Sequence, residues 1–443
     1  MRKGLACIKV LVLFLLSIEA LAQKNTAKDL FEKGLNLYLG KKYGKAIIYF
    51  EKTVKANPNY EKAYLYLGKC KSELGYNQEA IKIFNKVNQL NPENAEAYYY
   101  LGEVYLKMGR IDESINAYKK AVQIKQNYSL AYFGLGLAYS LAARKAALQE
   151  TSNFSSSAKN TYPLLLYSKA IRAHKKALRI DPNNSFVKAT LSLTYTYVGN
   201  YYVALGQLNE AVSAYKQAIQ IYSGRTAINY VYLGEAYRKF KYYDKAINAV
   251  RKAIKIEPDL SEAYLALGNI YNDLMQYERA LKAYLRAIEI NPDYAKAYGN
   301  IGNIYIKINH INEAINAYKK AIQINPSSAE LYHNLGDAYF MLNRYEEAVE
   351  AFTKAVHLKP DFKTYYNLGL SYFWLKHYNE AIEAFKKAIQ MKPKFAVAHV
   401  ALGMAFSLKG DKASALEEYR ILEMIDKSLA KKLLEFINQS QRQ

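Results

Sequence analysis

Histidine and cysteine stand in this sequence without the spacing that catalysis or metal binding requires. Six histidines are scattered along the chain and none lies four residues from another: His174, His310, His333, His357, His377 and His399. The sequence has no glycine-rich phosphate loop, no His-Glu-x-x-His motif, no nucleophile elbow and no paired cysteines spaced for a metal. We therefore predict a non-enzymatic protein without catalytic residues, metal ligands or a cofactor.

Asparagine is the side chain whose spacing is informative. Asn300, Asn334 and Asn367 follow one another at intervals of 34 and 33 residues, and Asn269 and Asn303 are also 34 residues apart. A carboxamide both donates and accepts hydrogen bonds, so a row of them can hold a peptide backbone without reading its side chains. We call these five residues the carboxamide ladder and predict that they bind a partner.

This spacing belongs to a repeat that fills almost the whole chain. The clearest copy consists of Tyr264, Leu267, Gly268, Tyr271, Ala280, Tyr284, Ala287 and Pro292. The residues up to Tyr271 share one face of a helix, and those from Ala280 form the facing stripe of a second helix, which the proline ends. Eleven copies with a period near 34 residues predict eleven helix pairs that stack around one continuous core.

The pattern resembles the tetratricopeptide repeat, and the resemblance covers residues 27 to about 427. It implies an all-α fold: a right-handed α-solenoid, or superhelix, of about eleven helix pairs whose first helices line a concave groove. When the glycine of each repeat is numbered 8, the family directs positions 2, 5, 6, 9, 12 and 13 toward that groove. The carboxamide ladder occupies positions 6 and 9, and Lys296 and Lys363 occupy position 2. The resemblance therefore implies that all seven residues contact the partner.

The repeats divide the chain into segments with two interruptions. We assign repeats one to five to residues 23–225, repeats six to eleven to residues 226–428, and a capping helix with a tail to residues 429–443. Repeat four has 22 extra residues, including a polar stretch at 150–157, and we predict a loop at about 142–165. In repeat five we place Ser192 at position 8, and the seven extra residues after Tyr195 correspond to two turns that both helices can share.

The first 22 residues have the features of a secretory signal peptide. A basic start is followed by a short apolar run at 10–18 and by Ala20-Leu-Ala22, which predicts cleavage before Gln23 and a periplasmic or secreted protein. The run is too short to span a bilayer, and we predict no transmembrane segment in the mature chain. Cleavage removes Cys7 and leaves Cys70 as a free thiol or as one half of a bridge between chains.

The net charge of +23 favours acidic partners. Lysine outnumbers arginine by 49 to 13, and because base readout and bidentate phosphate contacts depend on arginine, this composition argues against nucleic acid. The function predicted from the sequence is a protein–protein interaction scaffold of the bacterial cell envelope that binds an extended segment or an assembly partner, which the charge favours as acidic. Two alternatives stay open: a binder of acidic envelope polysaccharide, and an accessory subunit of an envelope glycan-handling enzyme.

Overall fold

The computed structural model of the chain describes residues 26–152 and 161–440. Those residues form helices joined by short turns, without a single strand, which confirms the all-α prediction. By their internal contacts they fall into two units, unit 1 ending at Tyr232 and unit 2 beginning at Leu233. The predicted signal peptide, Cys7 and Gln23 lie outside the described residues.

In unit 1, consecutive helices pack as pairs, and each pair packs on the next. The helices are α1 (26–39), α2 (Tyr43–Ala56), α3 (Glu61–Glu73), α4 (Asn77–Leu90), α5 (Ala95–Lys107), α6 (Ile111–Ile124), α7 (Ser129–Ser152), α8 (Tyr162–Ile180), α9 (Ser185–Ala204) and α10 (Leu208–Ile221). A 3₁₀ turn (Ser223–Arg225) then leads into α11 (Thr226–Lys239), which continues into unit 2.

Unit 2 repeats the same arrangement with more uniform helices. They are α12 (Tyr243–Ile256), α13 (Ser261–Asp273), α14 (Tyr277–Ile290), α15 (Ala295–Lys307), α16 (Ile311–Ile324), α17 (Ala329–Met341), α18 (Tyr345–Leu358), α19 (Phe362–Trp374), α20 (Tyr378–Met391), α21 (Ala396–Lys409), α22 (Lys412–Ile425) and α23 (Lys427–Ser440). The odd-numbered helices from α13 to α21 are the first helices of repeats seven to eleven, and the last helix, α23, packs on α21 and α22.

The close contact inside each pair explains the glycine and aromatic positions of the repeat. Tyr284 on α14 is fully buried, and its ring lies where a Cβ atom at Gly268 of α13 would have to be. The next repeat is built in the same way, because a Cβ atom at Gly302 would lie 2.5 Å from Cε1 of Tyr318. Glycine at position 8 is therefore required by the aromatic ring 16 residues later.

The ends of the helices follow from local chemistry. The second helix α14 ends at Ile290, Asn291 is extended, and Pro292 cannot supply the N–H that another turn needs. The turn between the first and second helices of a pair contains a residue with positive φ. Glycine fills this place at Gly75, Gly109, Gly206 and Gly410, whereas Lys41, Lys241, Met275, Asn309, Asn343 and Lys376 adopt it with a side chain.

The predicted loop in repeat four is mostly helix, which corrects the prediction. Helix α7 continues to Ser152 and α8 starts at Tyr162, so only residues 153–160 of the proposed 142–165 loop lie outside the described residues. The added turns are packed: Ala143 is fully buried, and Tyr201 of α9 donates a hydrogen bond of 2.6 Å to Glu150. The insertion therefore lengthens a helix pair.

Repeat five has a different register from the predicted one. A Cβ atom at Gly199 would lie 2.6 Å from Cε1 of Tyr215, so Gly199, and not Ser192, is the position-8 residue. Ser192 lies two turns earlier, and its hydroxyl donates to the carbonyl of Ala218 at 2.8 Å. Helix α9 has 20 residues and α10 has the usual 14, so the first helix alone takes up the extra residues.

The capping helix predicted at residues 429–443 is α23, and its apolar face covers the last helix pair. Ala430, Leu433 and Ile437 are buried, and Leu433 packs directly against Gly403 of α21. This contact replaces the neighbouring repeat that would otherwise cover the end of the core.

Candidate functional site

The carboxamide ladder lies on four successive first helices of unit 2: α13, α15, α17 and α19. All five asparagines are partly buried, and they form hydrogen bonds from one repeat to the next. Asn300 donates from Nδ2 to Oδ1 of Asn269 at 3.0 Å, and Asn334 donates in the same way to Asn303 at 3.3 Å. Position 9 of one repeat thus contacts position 6 of the following repeat.

The two position-9 asparagines are also fixed from within their own repeat. The hydroxyl of Tyr284 donates to Oδ1 of Asn269 at 2.9 Å, and that of Tyr318 donates to Oδ1 of Asn303 at 2.7 Å. Burial raises the pKa of both tyrosines well above the ordinary value, so the hydroxyls remain protonated donors. Each position-9 carbonyl therefore accepts two hydrogen bonds and has no lone pair left for a ligand.

At the third junction a carboxylate replaces the position-9 asparagine. Asn367 donates from Nδ2 to Oδ1 of Asp337 at 2.8 Å, while Nε2 of His333 lies 3.3 Å from the other carboxylate oxygen. The hydrogen bond to Asp337 raises the pKa of His333. Nδ1 of His333 lies 2.9 Å from the hydroxyl of Thr364 on the next first helix.

Sequence reasoning counted His333 among the scattered histidines and missed its place beside the ladder. The available signal was its spacing of four residues from Asp337, because such residues are neighbours on a helix surface.

The three position-6 asparagines keep hydrogen-bonding capacity. Asn300, Asn334 and Asn367 each donate one N–H to the preceding repeat, and no contact within the described residues uses any of the three carboxamide oxygens. Asn334 and Asn367 also have a second N–H. These two carboxamides can therefore both donate to and accept from a bound backbone.

The two predicted lysines lie one helical turn before Asn300 and Asn367. Lys296 is the second residue of α15 and Lys363 the second residue of α19, and both side chains are exposed. Nζ of Lys363 lies 6.0 Å from the ring centroid of Phe362. Within the described part of the chain no hydrogen bond or ion pair connects either lysine to the ladder.

In unit 1, Asn200 is at position 9 and accepts a hydrogen bond of 2.7 Å from the hydroxyl of Tyr215, but the first helix α3 has a different side chain at this position. Lys69, at position 9 of α3, inserts its ammonium group between the rings of Tyr66 and Tyr100, 4.4 and 4.5 Å from their centroids. Its Nζ also lies 2.5 Å from a carboxylate oxygen of Glu96 on the next first helix. The sequence contains a signal for this arrangement, since Tyr66 and Tyr100 are both at position 6.

No group of three His, Cys, Asp or Glu side chains that could hold a metal occurs in residues 26–152 or 161–440. Over the same residues, no helix combines the length and apolar character needed to cross a membrane. Cys70 is fully buried in α3, and burial raises the pKa of its thiol to about 12. A bridge between chains through Cys70 requires the surrounding helices to open.

Family models match most of the repeats found here. A TPR repeat model matches residues 105–141, 268–309 and 302–343, and models described as tetratricopeptide repeat match 192–223, 229–260, 249–282, 329–362 and 362–395. A model of the anaphase-promoting complex, cyclosome, subunit 3, matches residues 39–121. Comparison with curated proteins gave no match.

Solved structures similar to this chain include MamA, with 29% identity over 39% of this chain and 94% of that protein, at a TM-score of 0.37. YrrB, a TPR protein with an unusual peptide-binding site, shares 25% identity over 43% of this chain and 99% of its own, at a TM-score of 0.40. Yeast Tom70 shares 15% identity over 95% and 96% of the two chains, at a TM-score of 0.42. On the family models and the repeated helix pairs, the chain belongs to the tetratricopeptide repeat family.

Proposed function

We propose that the protein is a non-enzymatic scaffold of the bacterial cell envelope that binds an extended protein segment along the first helices of unit 2. The observation that carries this proposal is the unused hydrogen-bonding capacity of Asn334 and Asn367. These two carboxamides stand one repeat apart, and both have an oxygen and an N–H left for a backbone.

The bonds between repeats make the ladder suitable for binding. Asn300, Asn334 and Asn367 are each held by a partner in the preceding repeat, so a ligand does not have to immobilise them. Side chains that are already ordered lose little entropy when a ligand binds. The groups are also neutral, so the ladder recognises a backbone irrespective of the charge of its side chains.

A triple variant tests the ladder. A ligand is first selected from a library of unstructured peptides, and its affinity is compared for the wild type and for Asn300→Ala/Asn334→Ala/Asn367→Ala. Each neutral hydrogen bond contributes about 0.5–1.5 kcal/mol, so we expect affinity to fall by roughly one to three decades with little change in its salt dependence. Replacing ligand amides by esters should weaken wild-type binding more than it weakens binding to the variant.

The matched control is Asn312→Ala/Asn316→Ala/Asn379→Ala, which removes three exposed asparagines from the second helices α16 and α20. We expect it to bind like the wild type. Because the ladder variant also loses bonds between repeats, affinities are compared at a temperature at which all three proteins have full helical circular dichroism. Normal binding by the ladder variant, combined with salt-sensitive loss in Lys296→Glu/Lys363→Glu, would replace the ladder with an electrostatic site.

The envelope location is a separate part of the proposal, based on the signal-peptide features of residues 1–22. Cell fractionation followed by N-terminal sequencing tests it. We expect the envelope fraction to contain a chain that begins at Gln23. Recovery of the protein from the cytoplasm with Met1 intact would exclude export but leave the ladder proposal untouched.

A further inference from the structure

A second groove in unit 2 lies at the start of the second helices and apart from the ladder. It encloses about 830 Å³ between the first turns of α12 and the junction of α13 with α14. Its lining includes four basic residues, Lys241, Lys245, Arg251 and Arg279, and one acidic residue, Asp244. The volume is within the range of peptide and small-ligand sites.

The four cations of this groove are not neutralised by the protein itself. Within the described residues none of them forms an ion pair, and Arg279 donates only to the neutral side chain of Gln276, at 3.0 Å. Other arginines of unit 2 differ: Arg238 binds Asp273 at 2.6 Å, and Arg286 binds Glu289 at 3.0 Å. The groove therefore has an excess of positive charge that favours binding of an external anion.

Two of the three tyrosines that line the groove, Tyr242 and Tyr271, lie beside its cations. Nζ of Lys245 lies 5.0 Å from the ring centroid of Tyr242, and the guanidinium of Arg279 lies 5.9 Å from that of Tyr271. These contacts keep the charged groups over the rings. A sugar that binds by stacking needs a free aromatic face, whereas a carboxylate needs only the N–H donors of the cations.

We propose that this groove binds an acidic peptide segment through carboxylates held by Lys245, Arg251 and Arg279. The site is formed by second helices and turns, and it is independent of the ladder. The start of α12 at Tyr243 and the start of α14 at Tyr277 add the positive ends of two helix dipoles to the same groove. A segment with alternating or consecutive carboxylates matches this charge.

The test uses a fluorescein-labelled peptide of about eight glutamates and follows its anisotropy with the full-length protein. The variant Arg251→Gln/Arg279→Gln removes two groove cations. Exposed ion pairs contribute about 0.2–1 kcal/mol each, and we expect the dissociation constant to rise roughly two- to thirtyfold. The variant Arg251→Lys/Arg279→Lys keeps the charge and should retain most of the affinity. Circular dichroism confirms that each variant is folded.

The matched control is Arg172→Gln/Arg420→Gln, which removes the same charge from exposed sites on α8 and α22. Affinity unchanged in this control and lost in the groove variant supports the proposal. Equal weakening in both variants overturns it, because net charge alone would then explain binding. A wild type that binds polygalacturonate through Arg251 and Arg279 but ignores the glutamate peptide also overturns it and assigns the groove to an acidic polysaccharide.

Discussion

His174 occupies a place that most other repeats give to a tyrosine or a phenylalanine. Its imidazole packs against Gly136, where a Cβ atom would lie 2.5 Å from Cε1 of the ring, and the side chain is fully buried. No hydrogen-bond partner for either ring nitrogen is found among the described residues. Burial alone lowers the pKa of His174 from 6.5 to about 4, because the charged ring would lose its hydration.

This histidine should make the protein sensitive to mild acid. The unfolded chain binds the proton below about pH 6.5 and the folded chain only near pH 4, so the stability is complete above pH 6.5 and falls as the pH drops between these values. The total loss is about 3 kcal/mol. We expect His174→Phe to raise the urea midpoint at pH 7, because two unpaired nitrogens are removed. The difference in urea midpoint between His174→Phe and the wild type should be larger at pH 4.5 than at pH 7.

The control for this prediction is His357→Phe, at an exposed position of α18 where the side chain stays in water. Its midpoint should differ from that of the wild type by the same amount at both pH values. A difference between His174→Phe and the wild type that does not change with pH would show that the folded and unfolded chains bind this proton equally, so that burial does not lower the pKa of His174.

Single residues also show what sequence reasoning can and cannot reach. The repeat predicted that His174 takes an aromatic core position, but not that its nitrogens lack partners. It also predicted the positions of Asn269 and Asn334. The side-chain oxygen of Asn269 accepts two hydrogen bonds, whereas that of Asn334 accepts none within the described residues. This difference depends on distances between helices of different repeats. Spacing along the chain does not contain that information.

At the level of elements, the turns inside the helix pairs store conformational strain. Met275 joins α13 to α14 with φ of 56°. Its side chain is 74% exposed, so burial of the side chain does not compensate for the unfavourable backbone conformation. A residue with a Cβ atom loses about 1–2 kcal/mol in the left-handed region, which glycine enters freely.

We expect Met275→Gly to stabilise the protein by about 0.5–1 kcal/mol, after the extra freedom of glycine in the unfolded chain is subtracted. Asn343 is the internal comparison, because it has φ of 58° in the equivalent turn of repeat nine and asparagine tolerates this region. Asn343→Gly should therefore stabilise the protein less than Met275→Gly does. The urea midpoints of the two variants are compared with that of the wild type. A lower midpoint for Met275→Gly would contradict the strain argument.

Two predictions from the sequence, the register of repeat five and the loop of repeat four, were wrong for physical reasons. In repeat five, Leu191, Ser192 and Tyr195 imitate the spacing of a first helix, although Gly199 is the residue without a side chain in front of the Tyr215 ring. In repeat four, the polar composition near residue 150 indicated a loop, but contacts with α8 and α9 keep α7 helical to Ser152. Tertiary packing overrode local preference in both cases.

At the scale of the whole molecule, stability is distributed along the stack within each unit. One buried cluster in unit 2 joins Tyr318 of repeat eight, Leu335 and Phe352 of repeat nine and Leu368 of repeat ten. A defect in one repeat therefore removes packing from its neighbours, as expected for proteins in which each repeat is stable only beside the next.

Gly268→Leu tests this coupling. The new side chain would overlap the ring of Tyr284, and overpacking of this kind typically costs about 1–3 kcal/mol. We expect hydrogen exchange to accelerate in α13 and α14 and also in the adjacent helices α12, α15 and α16. Faster exchange restricted to α13 and α14 would contradict a shared core.

The junctions described above have a consequence for how such a chain can change its length. The junction from Asn269 to Asn300 and the junction from Asn303 to Asn334 have the same chemistry, since a carboxamide meets a carboxamide in both. If residues 295–328 were deleted or duplicated, an asparagine would still face an asparagine across the new boundary. The junction of Lys69 with Tyr100 and Glu96 has no such twin. Repeat eight is therefore the module whose loss or duplication preserves the junction chemistry, and we expect the chain to tolerate a change of length there.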